Sequence, residues 1–226
     1  MLGGRDRPPV DTVMNGRIET AETDVLIVVD VQNDFVSGSL AIPGARDIVP
    51  VINRLVAGFE HVIVTQDWHP RGHISFASTH AGAKHLETVQ TPYGPQTVFH
   101  DHCIQGTPGA KLDPYLEITK SELILRKGYR KDVDAFSAFF ENDRKTSTGL
   151  GAYLRVRGIT RVFCCGLALY GCVKATAEGA RRELFETFVI EDASKGRVTL
   201  DGSNERAVEE LERLGVTTTN SNHFRF

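Results

Sequence analysis

Val25-Leu26-Ile27-Val28-Val29 is an unbroken apolar run rich in β-branched residues, ended by Asp30. Strict alternation would mark a strand with one face in water; a continuous run marks one covered on both faces, as in a parallel sheet. Further runs of this kind lie at Val62 to Thr65, Leu123 to Leu125, Val162 to Cys165, Phe188 to Ile190 and, more weakly, Val216 to Thr219. Helical patterns fall between them at about Ala45 to Phe59, Gly149 to Arg157, Cys172 to Phe185 and Ser203 to Leu214, the last stopped by Gly215. Strand and helix alternate, which predicts an α/β fold: a three-layer αβα, doubly wound, mostly parallel sheet of about six strands. Ligands bind such sheets beyond the carboxyl ends of the strands.

The 226 residues, 41% of them apolar, suit one larger domain with one continuous core. Residues 1–22 carry Gly3-Gly4, Pro8-Pro9 and scattered charges without apolar period, which predicts a flexible extension ahead of a domain over 23–226. From Gln66 to Ser121 periodicity gives way to Gly, Pro and His. A stretch this long inside a compact domain usually builds a site, so 66–121 is expected to wall a pocket. A formal charge of -3 offers no basic surplus for phosphates or anionic lipid, which argues against nucleic acid as partner. No apolar run approaches the roughly 20 residues of a membrane span, so a soluble, cytoplasmic protein is expected. Four cysteines, two of them adjacent, suggest reduced thiols in place of a disulfide framework.

Gln66-Asp67-Trp68-His69-Pro70-Arg71-Gly72-His73 sets a carboxylate and imidazoles where a buried strand meets a loop, a pattern suited to a divalent metal. Asp67 and His69 would need a third ligand from elsewhere. His102 in Phe99-His100-Asp101-His102-Cys103 is the first candidate, with His73, His80, His85 and His100 as competitors. Such a mixed set with open positions suits Zn, Fe or Mn. Cys172 follows a strand and precedes a helix, where free amides and the macrodipole favour a thiolate; it could equally be a small core residue. Cys164 and Cys165, inside a strand, are expected to pack on opposite faces. Asp30 could cap a turn or serve the thiol as base. Lys127 alone would be a surface lysine; its interest comes from lying just past a strand, as the other candidates do.

Taken together, these segments resemble the nicotinamidases (pyrazinamidases) of the isochorismatase-like cysteine hydrolase superfamily. The matches are Val29-Asp30-Val31-Gln32-Asn33-Asp34-Phe35, Gln66-Asp67-Trp68-His69-Pro70 with His73 and Ser75-Phe76-Ala77-Ser78, Asp101-His102-Cys103, Arg126-Lys127-Gly128, Ser137-Ala138-Phe139-Phe140, and Gly166-Leu167-Ala168 with Cys172-Val173. The resemblance implies the isochorismatase-like hydrolase fold and a triad of Asp30, Lys127 and Cys172. It implies one divalent metal ion, with zinc foremost, on Asp67, His69 and His102, and His73 as an optional ligand. It also implies a cis peptide before Ala168, an oxyanion hole from the amides of Ala168 and Cys172, and aromatic walls from Phe35, Phe99 and Phe136 around a pyridine ring. The expected partner is a small carboxamide; self-association into a homo-oligomer is left open. Two stretches depart from the family pattern: Phe99-His100 replaces the usual Trp-Pro, and Leu169-Tyr170-Gly171 replaces Thr-Asp followed by an aromatic or His. These changes make a related amidase for another small heteroaromatic carboxamide the nearest rival.

Overall fold

The computed structural model describes residues 17–196 and 203–226. Its centre is a six-stranded sheet of β2 (Asp24–Val29), β3 (His61–Asp67), β6 (Leu123–Lys127), β7 (Arg161–Leu167), β8 (Glu186–Lys195) and β9 (Thr217–Thr219), in the order β6-β3-β2-β7-β8-β9. Every pairing in it is parallel. The remaining strands form two small pairs: β1 (Ile18–Glu19) with β10 (Phe224–Arg225), and β4 (Thr88–Thr91) with β5 (Gly94–Thr97). The helices are α1 (Asn33–Val36), α2 (Val49–Gly58), α3 (Leu150–Val156), α4 (Lys174–Arg182) and α5 (Ser203–Arg213).

All six residues of β2 are buried, as a strand covered on both faces requires. Leu26 and Val28 pack with Ile52, Leu55 and Val56 of α2, while Val25, Ile27 and Val29 pack with Leu154 of α3, Ala177 of α4 and Leu211 of α5. Helices thus cover both faces, and the three-layer architecture expected from the alternation is present. Cys165 joins the first cluster and Cys164 the second, so the adjacent pair divides between faces. The chain walks outward from β2 to β3 to β6, then crosses back to β7 on the other side of β2. The order reverses between β2 and β7, where the loops diverge and leave a crevice at the carboxyl ends.

Several boundaries differ from expectation, each for a local reason. The helix expected from Ala45 starts as a 3-10 turn, Ala45–Ile48, and becomes α-helical only at Val49. Pro50 has no N–H for Arg46 O, which accepts from Val49 N instead. The helix expected from Cys172 starts at Lys174, after a wide turn over Leu169–Val173 in which Val173 N reaches Ala168 O at 3.2 Å. The stretch 66–121, expected without regular structure, opens with the last two residues of β3 and carries the β4–β5 hairpin, whose strands hold Val89 as their one aliphatic residue. The extension drawn through residue 22 lies partly outside the described residues. Its described part is not free chain: Ile18 is buried and pairs with Phe224. Among the described residues, no helix is long and apolar enough to cross a membrane.

Candidate active site

The crevice collects the carboxyl ends of four neighbouring strands. Asp30 directly follows β2, Asp67 ends β3, Lys127 ends β6 in register with Asp67, and Cys172 sits in the wide turn after β7. Asp30 takes a left-handed backbone, φ 48°, which carboxylate residues tolerate better than most. Its place is fixed by Thr65: the Asp30 amide donates to Thr65 Oγ1 (3.1 Å), and that hydroxyl donates to Asp30 Oδ1 (2.6 Å). Gln32 clamps the Asp67 backbone in both directions, its side-chain amide donating to Asp67 O and its side-chain oxygen accepting from Asp67 N, each at 2.8 Å.

Lys127 is the junction of the site. Its Nζ stands 2.7 Å from Asp30 Oδ2 and donates to Asp67 Oδ1 (2.5 Å), Ala135 O (3.0 Å) and Cys172 Sγ (3.4 Å). The structure therefore brings Asp30, Lys127 and Cys172 together. Burial of this cation would be costly alone, but Asp30 and Asp67 outweigh it and hold the ammonium well above its ordinary pKa. Burial pushes Asp30 up to about 6 against the pull of Lys127. Burial opposes ionisation of Asp67 as well, yet Lys127 and His69 hold that carboxyl far below its usual range. The thiol behaves differently from the expectation of a helix terminus that favours thiolate. Burial pushes Cys172 well above its ordinary value, Lys127 only partly offsetting it, so the resting group is a thiol beside a carboxylate.

The candidate metal ligands converge one step away. One donor atom each from Asp67, His69 and His102 lie within 4.8 Å of one another. His69 Nε2 is 3.7 Å from Asp67 Oδ2, inside the span of about 4.2 Å that two ligand bonds of about 2.1 Å can cover. His69 Nδ1 bonds Gly128 O (2.9 Å) and His102 Nδ1 bonds His100 O (2.8 Å). Carbonyls only accept, so each Nδ1 carries a proton and each Nε2 is the nitrogen left for a ligand bond. Burial opposes a charge on His69, but Asp67 holds its ring above the ordinary value, so an ion bound there would displace a proton from Nε2. Burial, aided by His69, pushes His102 down to about 4 and keeps it neutral, the form a ligand needs. Asp67 keeps Oδ2 on this side while Oδ1 faces Lys127. The donor set fits a divalent ion with N and O preference. Gly128, at φ +61°, allows the close approach: a Cβ there would stand 2.5 Å from His69 Cε1.

His73 stacks on His69 with ring centroids 4.1 Å apart, but its Nδ1 bonds Ser75 Oγ (2.7 Å) and its Nε2 bonds Val133 O (3.2 Å). Both nitrogens are engaged, yet one donor atom each from His69, His73 and Asp134 also lie within 4.8 Å of one another, a second group that could hold an ion. His80 bonds Ile74 O, and His85 stacks on His100 and lines the same cavity as Asp67 and His102.

A cavity of about 330 Å³ lies above Cys172, walled by Phe35, Phe99 and Phe136 together with Leu40, Ile42 and Tyr170. Asp67, His102 and Ala168 also face it, and the Leu167–Ala168 peptide is cis. A wider groove of about 840 Å³ beyond Phe136 and Thr97 contains none of the triad or ligand residues. Sequence reasoning missed Thr65 and Gln32 as positioning groups; Tyr170, one of the departures from the family pattern, is found in the cavity wall. The signal for the first two was weak: a polar residue at a strand end or just past one, its partner some thirty-five positions away.

Residues 24–222 match the isochorismatase domain model. The nicotinamidase of Acinetobacter baylyi is 46% identical over 206 residues, covering 91% of this chain and 96% of that protein. Among solved structures, the Acinetobacter baumanii nicotinamidase/pyrazinamidase superposes with a TM-score of 0.87 at 46% identity, covering 89% of this chain and 98% of that one. The Pyrococcus horikoshii pyrazinamidase in complex with zinc superposes with a TM-score of 0.71 at 31% identity, covering 88% and 99%. The chain belongs to the isochorismatase family, within its nicotinamidase and pyrazinamidase branch, and is an amidohydrolase.

Proposed function

We propose that the protein hydrolyses nicotinamide to nicotinic acid and ammonia through a thioester on Cys172. The observation that carries this reading is the contact of one buried ammonium, Lys127 Nζ, with Asp30, Asp67 and Cys172 beneath an aromatic cavity. A carboxamide is a poor electrophile, so its hydrolysis needs a strong nucleophile, a stabilised oxyanion and a protonated leaving group. Asp30 takes the proton from Cys172 as Sγ bonds to the amide carbon, while Lys127 offsets the charge that develops on sulfur. The amides of Ala168 and Cys172 hold the oxyanion. When it collapses, the C–N bond breaks and Asp30 returns its proton to the departing nitrogen, which leaves as ammonia. Asp30 then takes a proton from water, whose oxygen attacks the thioester; the C–S bond breaks, the acid leaves and the thiol is restored.

Phe35, Phe99 and Phe136 pack against the ring. Asp67, His69 and His102 would hold a divalent ion, zinc foremost with iron or manganese as alternatives, and that ion would supply a Lewis-acid partner for the ring nitrogen. The acid product suits salvage of the pyridine ring into nucleotides. The test is to load the protein with zinc, add nicotinamide and follow both products. Equal amounts of nicotinic acid and ammonia are expected, and a folded, zinc-loaded protein that makes neither refutes the reading. The second reading is a related heteroaromatic carboxamide, supported by Tyr170 and Gly171 in the cavity wall; ammonia release over a panel of amides separates the two.

A further inference from the structure

Gly171 stands immediately before Cys172 and lines the same cavity. Backbones require glycine where φ is positive or where a Cβ would strike a neighbour. Neither applies at this position. Gly171 is not among the positive-φ residues, and a Cβ built on it meets only the Cβ of Ala168, at 4.0 Å. What the missing side chain leaves is room beside the sulfur. Tyr170 extends that room, because its ring lies against Gly196: a Cβ at 196 would stand 2.4 Å from both Cδ2 and Cε2 of the ring. Gly196 lies outside the cavity lining, so the bare backbone behind the ring lets this wall sit back. The whole cavity, including the side lined by Asp67 and His102, has a volume of about 330 Å³, at the lower bound of pockets that hold drug-sized molecules and more than one unsubstituted pyridine ring fills. The cavity lining also includes the aliphatic Leu40, Ile42 and Leu86, together with His85 and Thr97.

We propose that the space beside Gly171 is a substituent subsite, and that the enzyme hydrolyses heteroaromatic carboxamides carrying a small apolar group on the ring edge that faces Gly171. This rests on the amidase reading above and narrows its substrate class. The mostly apolar lining offers such a group contact, and Gly171 has no side chain to exclude it.

The test compares kcat/KM for nicotinamide and for each ring-methylated nicotinamide on the zinc-loaded enzyme, by ammonia release. At least one methylated amide is expected within about tenfold of nicotinamide. Gly171→Val fills the room and should lower the ratio of that substrate's kcat/KM to nicotinamide's by about tenfold or more, the discrimination a methylene commands in an apolar pocket. Gly196→Ala, acting from behind Tyr170, should lower the same ratio; an unchanged ratio there removes Tyr170 from the subsite. Because both substrates are measured on one preparation, partial loss of folded protein leaves the ratio unmoved. The subsite is overturned if nicotinamide is hydrolysed while every methylated amide is more than tenfold poorer, or if Gly171→Val changes the ratio by less than tenfold. Ammonia from none of the amides, nicotinamide included, overturns the amidase reading and the subsite with it.

Discussion

Lys127 has no solvent to share its charge: it is 1% exposed and held by two carboxylates, a carbonyl and a sulfur. Cys172→Ala should remove the nucleophile and one contact of Lys127 while leaving Asp30, Asp67 and Ala135 O around the ammonium, so turnover is abolished while zinc stays bound, read by product release and by metal content. His69→Ala should do the reverse, losing zinc and weakening productive substrate binding. Asp30, held up at about 6 by its burial, can act as base only when ionised. As pH falls through about 6 it takes a proton, and kcat/KM should drop about tenfold per further pH unit; a profile flat to about pH 5 would exclude Asp30 as the base. At this scale the sequence was informative where residue type alone limits the chemistry, as with Cys172, Asp67 and His69. Lys127 was legible only through the company of other strand ends. Thr65 and Gln32 were not, because a hydroxyl or amide announces no partner thirty-five positions away.

Strands carry these groups to a common edge, and their amino ends are fixed by a separate device. Asp24 and Arg161 begin β2 and β7 in register, and Arg161 Nε bonds Asp24 Oδ1 at 2.6 Å with the pair buried. Arg161→Ala would strand Asp24 without a counter-ion and should cost about 3–5 kcal/mol by chemical denaturation. Arg155→Ala, which breaks the more exposed pair with Glu183, should cost under about 1 kcal/mol. If the two costs were equal, the buried pair would not be what secures the strand starts. The runs read from the sequence overlap all six strands, and the strand ends were less visible. β3 and β6 continue through Gln66-Asp67 and Arg126-Lys127, where residues that carry chemistry interrupt the apolar pattern. The hairpin β4–β5 was illegible for a different reason: its strands are short and largely polar, so it pairs through backbone with no periodicity to display.

For the whole molecule, the order of elements along the chain was enough to imply a doubly wound sheet with its crevice at the carboxyl ends, because parallel strands with helical crossovers admit few arrangements. The closure of the opposite end was not foreseen. There Phe59, Phe163, Phe188 and Phe224 pack ring on ring, and the β1–β10 pair lies across them through Ile18 and Phe224. The Ile18–Phe224 pairing joins residues more than two hundred positions apart, and no local pattern announces it. The reversal of strand order between β2 and β7 has a consequence for how the molecule fails. Base and nucleophile come from opposite sides of that seam, more than a hundred and forty positions apart, so no smaller folded piece retains half a mechanism. Catalysis then reports on the integrity of the sheet. In urea, hydrolytic rate and far-UV circular dichroism should decline along one curve, and activity that faded well before the dichroism would mean that the crevice can open while the strands stay paired.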